Sequence, residues 1–99
     1  MKIDKLLSAI GMAYASNNVV SGNKLLEQIK ENKVSFVVIS SNMGASQKKK
    51  IIDKCNSKKV EYISDVITKE QLAKACGKPV LVAIGLKNYH FIRLIKSTL

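Results

Sequence analysis

The sequence predicts an α/β protein, a three-layer α/β/α sandwich around a small four-stranded mixed sheet, with helices and strands alternating along the chain. Three observations carry this expectation. Apolar residues recur at spacings of three and four in some segments and run through β-branched residues in others, and the two patterns alternate from end to end. Two runs, SFVVIS (35–40) and PVLVAIG (79–85), are apolar throughout, as central strands covered on both faces by helices are. Amphipathic stretches lie before, between and after the strands, ready to cover both faces of a sheet.

The elements follow in order. Ile3, Leu6, Leu7, Ile10 and Tyr14 recur at helical spacing, and Ser16-Asn17-Asn18 ends that helix, since Asn tolerates the left-handed conformation of a helix C-terminus. Val19-Val20 is a short strand, and Ser21 has the side chain of an N-cap for the next helix. In that helix Leu25, Leu26 and Ile29 form the inward stripe, while Lys24, Glu27, Gln28, Lys30 and Glu31 face water. After strand 35–40 and the loop 40–44, Ser46 is the expected cap of a surface helix whose apolar stripe is Ile51, Ile52 and Cys55. VEYI (60–63) is a short strand. Thr68 caps a helix that buries Leu72, Ala73, Ala75 and Cys76 and stops at Gly77. The buried run 79–85, of the kind found in parallel sheets, leads to a last helix capped by Asn88, with Phe91, Leu94 and Ile95 inward.

Ninety-nine residues fit a single domain spanning 1–99, and a hydrophobic content of 46% without Trp makes its core aliphatic. Charge is the strongest compositional signal. Seventeen basic residues against seven acidic ones give +10, and every basic residue except Arg93 is lysine. A field of that sign on so small a body attracts polyanions, chiefly nucleic acid. Cys55 and Cys76 stand far apart, which fits neither a disulfide framework nor a zinc site and points to a reducing, cytoplasmic setting. Asp4 and Lys5 interrupt the apolar run of MKIDKLLSAIGMAYAS, so it reads as an amphipathic helix rather than a targeting segment. The apolar runs are too short to span a bilayer, and no membrane partner is expected.

Catalytic chemistry is poorly supplied. His90 stands alone near the start of the last helix, the carboxylates are scattered, and both cysteines lie on apolar faces as core thiols. No cofactor, no metal and no small-molecule substrate is expected. The informative stretch is VVSGNKLLEQIKENK (19–33). Its helix opens with a glycine and a lysine, although the first turn exposes N–H groups and the positive end of the macrodipole. An arriving phosphate or base would face that lysine favourably. QKKK (47–50) repeats the pattern, as a solvated face partly neutralised by a Lys49–Asp53 pair. GKPVL (77–81) offers a cation, a stiff Pro79 and apolar Val80 and Leu81, a surface on which splayed bases can lie, or else an ordinary helix–strand connection.

The stretches IGMAYASNNVVSGNKLLEQIKENKVSFVVIS, KKKIIDKC and ITKEQLAKACGKPVLVAIG resemble the kink-turn-binding ribosomal protein family, of the archaeal L-seven-A-e and eukaryotic L-thirty-e type, and most of all its small bacterial YlxQ-type branch. The resemblance runs from Leu6 to Ile95 and implies an α/β/α sandwich that binds sharply bent RNA. It implies RNA contacts from Gly22, Asn23 and Lys24 at the helix start, from Gln28 one turn on, from Lys69, and from Lys78, Pro79, Val80 and Leu81 in the loop that packs against flipped bases. The chain departs from the family pattern G-x-N-E-x-x-K, in which Lys24, Leu25 and Gln28 replace Asn, Glu and Lys. Ser41 and Asn42 stand where acidic residues are common, and Tyr14 and Ala15 where the small bacterial branch often has basic ones. The expectation is a non-enzymatic protein whose partner is ribosomal or other structured RNA, with the ribosome as a setting. The alternatives are a ribosome-associated protein-interaction or assembly factor with eroded RNA specificity, and an RNA-binding module serving a modifying enzyme on another chain.

Overall fold

The alternation becomes nine elements in the computed structural model, which describes residues 3–99; Met1 and Lys2, the first residues of the expected 1–99 span, lie outside the described residues. They are α1 (Ile3–Ala15), β1 (Val19–Ser21), α2 (Asn23–Lys30), β2 (Phe36–Ile39), α3 (Ala45–Lys58), β3 (Glu61–Ile63), α4 (Lys69–Cys76), β4 (Ala83–Leu86) and α5 (Tyr89–Lys96). The sheet order is β1-β4-β2-β3, so the two apolar runs are central as expected. The sheet is mixed: β2 and β3 are parallel, whereas β4 is antiparallel to both β1 and β2. The apolar run of β4 therefore reports helices on both faces rather than parallel pairing.

Side-chain alternation along the central strands divides the core. Phe36 and Val38 of β2, with Ile84 and Leu86 of β4, pack against α1, α4 and α5. Val37 and Ile39 face the other way, with Leu25 and Ile29 of α2 and Cys55 of α3. Two glycines set how closely the layers approach. A Cβ on Gly11 would come within 2.9 Å of the Ala75 carbonyl oxygen, which holds α1 close to α4. A Cβ on Gly85 would meet Leu25 Cδ1 at 2.6 Å and Val34 Cγ1 at 2.8 Å, so glycine there lets the α2 layer settle on the sheet.

Strand β4 begins later than its sequence suggests. Its register pairs Ala83 with Ile39, the last residue of β2. Beyond that point one bond remains, from the Ser40 N–H to the Val82 carbonyl, before the chain turns away. Residues 79–82 thus have no continuing ladder, Pro79 has no N–H to give, and Val80 is 75% exposed. In α5 the buried pair is Ile92 and Ile95, while Phe91 and Leu94 pack against the same core from half-buried positions.

Candidate nucleic-acid interface

Gly22 starts the site through its backbone. It is the N-cap of α2 with φ 68° and ψ −146°, a conformation close to glycine's own region. Ser21, expected as the cap, is instead paired with Ile84 in β1, and no side chain caps this helix. Its first turn holds no acid, and exposed Lys24 sits there. Helix α3 begins the same way. Gly44 is its N-cap without a side-chain hydrogen bond, its first turn lacks an acid, and Ser46, expected as the cap, lies inside the helix. The other two helices with defined caps are closed by side chains. The Thr68 hydroxyl accepts from the Gln71 N–H while Gln71 accepts from the Thr68 N–H, and Asn88 accepts from the His90 N–H at 2.8 Å. The open ends thus share one face of the sheet, and the capped ends share the other.

Between the two open ends lies a cleft of about 450 Å³. Gly22, Asn23, Val80 and Leu81 line it, so four of the expected RNA contacts come together. Leu25, Leu26 and Ile51 make its wall apolar, while Gln47 and Lys50 bring polar groups from α3. Lys24 and Gln28 lie next door, in a shallower depression that also holds Asn23 and Lys87. Asn23 borders both hollows. Gln28 does not face water freely. It is half-buried, and its Oε1 is sealed from solvent without a hydrogen-bond partner among the described residues. A buried acceptor without a partner is uncommon in folded proteins, and this one borders the depression that Lys24 and Lys87 also line.

The structure does not bring the remaining expected residues into this cleft. The Lys78 ammonium lies 5.8 Å from the centroid of the Tyr14 ring, a cation–π contact toward α1. Lys69 opens α4, where its N–H donates to Asn42 Oδ1 at 2.8 Å. Pro79 is exposed outside the cleft lining. Conversely, Met43, Gln47, Lys50 and Ile51 line the cleft without having been expected there. Their spacing of four, three and one places them on one face of α3 and its approach, which is the signal the sequence carried for them. Lys87 has no such periodic signal, since it comes from the connection after β4.

The arrangement offers groups that bind. His90 is exposed and packs edge-on against its neighbour Phe91, with ring centroids 5.4 Å apart. Burial pushes the Cys55 and Cys76 thiols from 9.0 up to about 11, away from the thiolate form a nucleophile needs. What the cleft and the adjoining depression supply between them is an uncapped helix start, the lysines Lys24, Lys50 and Lys87, and an apolar wall, which suit phosphate, base edge and base face.

Similarity to known proteins agrees with the fold and covers the site. The chain is 29% identical over 91 residues to the RNA-binding protein YlxQ of Bacillus subtilis (strain 168), covering 91% of this chain and 90% of that protein. A solved protein of unknown function from Bacillus halodurans C superposes with a TM-score of 0.87 at 31% identity, over 94% of each chain. The Giardia lamblia 15.5kD RNA binding protein shares the fold with a TM-score of 0.73 at 20% identity, over 94% of this chain and 80% of its own. Residues 4–90 match the model of the Ribosomal protein L7Ae/L30e/S12e/Gadd45 family, and the chain belongs to that family.

Proposed function

We propose that this chain is a non-enzymatic RNA-binding protein that recognises structured, kink-turn-like RNA at the start of α2. One observation carries this: α2 opens on a bare glycine that lines a cleft together with the apolar segment Val80–Ala83, with Lys24 of the same first turn in the adjoining depression. The helix N–H groups and Lys24 take a phosphate or the acceptor edge of a guanine, and the apolar wall takes the face of an unstacked base. Gln28 offers its amide to a base edge once the side chain turns out of its buried position. Its family, the RNA-binding relative in Bacillus subtilis and the +10 charge all support RNA as the partner. Lys69, Lys78 and Pro79, outside the cleft, serve the flanking stems.

The test is a gel-shift titration with a kink-turn RNA and a straight duplex of equal length at two salt concentrations, with wild type and Lys24→Ala. The kink-turn should win at both salts, and Lys24→Ala should cost about 1–3 kcal/mol of that preference, the range of a base-edge contact. Equal binding of both RNAs with a steep loss on adding salt would mean that the protein attracts phosphate generically. Retention of a protein partner after nuclease treatment would then favour the assembly-factor alternative.

A further inference from the structure

We propose that one flank of α3, carrying Lys50, Lys54 and Lys58, grips the sugar-phosphate backbone of a duplex stem leading away from the cleft; this rests on the reading of the cleft as an RNA site. Gln47, Lys50, Lys54 and Lys58 are spaced three, four and four residues apart, so they lie on one side of the helix. The upper end of that row is already part of the site, because Gln47 and Lys50 line the cleft with Gly22 and Asn23. From Lys50 to Lys58 the row runs on for about 12 Å along the helix axis. Asp53 is the sole acid of α3, and it falls outside the row. Among the described residues, none of Lys50, Lys54 and Lys58 is in an ion pair, whereas Lys48, on the inward side, is held by Asp65 at 2.6 Å.

Like charges at this spacing repel, so a solvated helix does not gain by them. A regular line of lysines fits a polyanion with regularly spaced charges, and a stem entering from the cleft is such a partner. Lysine contributes here as a point charge without base preference, so the row adds affinity and salt dependence rather than selectivity.

The experiment compares K50Q/K54Q/K58Q with a charge-matched control, K5Q/K74Q/R93Q, whose three residues lie on the α1, α4 and α5 layer. Both variants lower the net charge from +10 to +7, which is 10 minus 3. Affinity for the kink-turn RNA is measured over a salt series, and thermal melts confirm that both variants fold. For three lost phosphate contacts the slope of log K against log salt should become shallower by about 2.7, and K54Q/K58Q, which leaves the cleft residue Lys50 in place, should retain the preference for kink-turn over straight duplex. The control should change the slope by less than about one unit. An unchanged slope in the row variant, or an equal change in both variants, overturns the stem contact while leaving the cleft reading intact. Loss of the kink-turn preference in K54Q/K58Q overturns it too, since the lysines beyond the cleft would then be reading bases. If the wild type binds neither RNA, both inferences fall together.

Discussion

Gly22 is needed for its backbone and Gly85 for its lack of volume, and the two should respond differently to the same substitution. A Cβ on Gly22 would stand in open space, but φ 68° with ψ −146° is a conformation that side-chain-bearing residues adopt only under strain. Gly22→Ala should therefore cost about 1–3 kcal/mol in a urea melt or shift the start of α2. In the second case RNA affinity falls by more than stability does. Gly85→Ala should also destabilise, by about 1–3 kcal/mol of overpacking against Leu25 and Val34, yet leave affinity in the folded fraction nearly unchanged. A mutant pair in which both lose stability but neither loses affinity would place the α2 start outside the binding site. At this scale a glycine between a strand and a helix was legible as a close-approach turn, whereas Ser21 was not legible as a strand residue. Serine is an N-cap type wherever it stands, and only its pairing with Ile84 shows that the strand has claimed it.

Among the elements, α4 is held at its start by the Thr68–Gln71 capping box and α5 by Asn88, while α2 and α3 start on glycine. The contrast makes two substitutions informative. Thr68→Ala should lower stability by about 0.5–2 kcal/mol while the folded fraction keeps its preference for the kink-turn, because the cap lies on the sheet face away from the cleft. Gly44→Asp should do the opposite on both counts. Gly44 has φ −55° and ψ 133°, which aspartate adopts freely, so the new carboxylate can cap α3 and stabilise by roughly 0.5–1 kcal/mol. The same carboxylate sits beside the cleft and should repel phosphate, so a filter-binding assay should show weaker RNA binding by a more stable protein. Higher stability with unchanged affinity would mean that the α3 start does not meet RNA. The caps of α4 and α5 could be read from sequence because they are bonds between residues two or three apart. The start of β4 could not, because it depends on where β2 stops pairing.

Across the whole molecule three of the seven acids, Glu61, Asp65 and Glu70, bond to other elements and act as fasteners in a chain that otherwise repels itself. Lys48 of α3 donates to Asp65 in the connection after β3, and Asn42 in the connection after β2 donates to Glu70 of α4 at 2.9 Å. Together they tie both helix layers to one end of the sheet. The total charge was plain from composition, but these partners were not. Helical spacing offers only same-helix pairs such as Lys49–Asp53, and the structure takes Lys48 to an aspartate seventeen residues away instead. The two ties fix the direction of acid sensitivity. The Lys48 hydrogen bond holds the Asp65 carboxyl below its ordinary 3.8, and the Asn42 hydrogen bond holds Glu70 below its ordinary 4.5. A carboxyl with a depressed folded value contributes stability that is complete above its unfolded value and lost as pH falls through the folded one. Melting temperature should accordingly hold near neutral pH and decline once the pH drops below about 4.5, with Asp65→Asn and Glu70→Gln each starting lower and declining less steeply. Because both groups are exposed, added salt should shrink the difference between wild type and variants at neutral pH. A wild-type acid decline that the double variant reproduces in full would assign the sensitivity to general positive repulsion, and the two fasteners would then hold nothing that the packing of the layers does not.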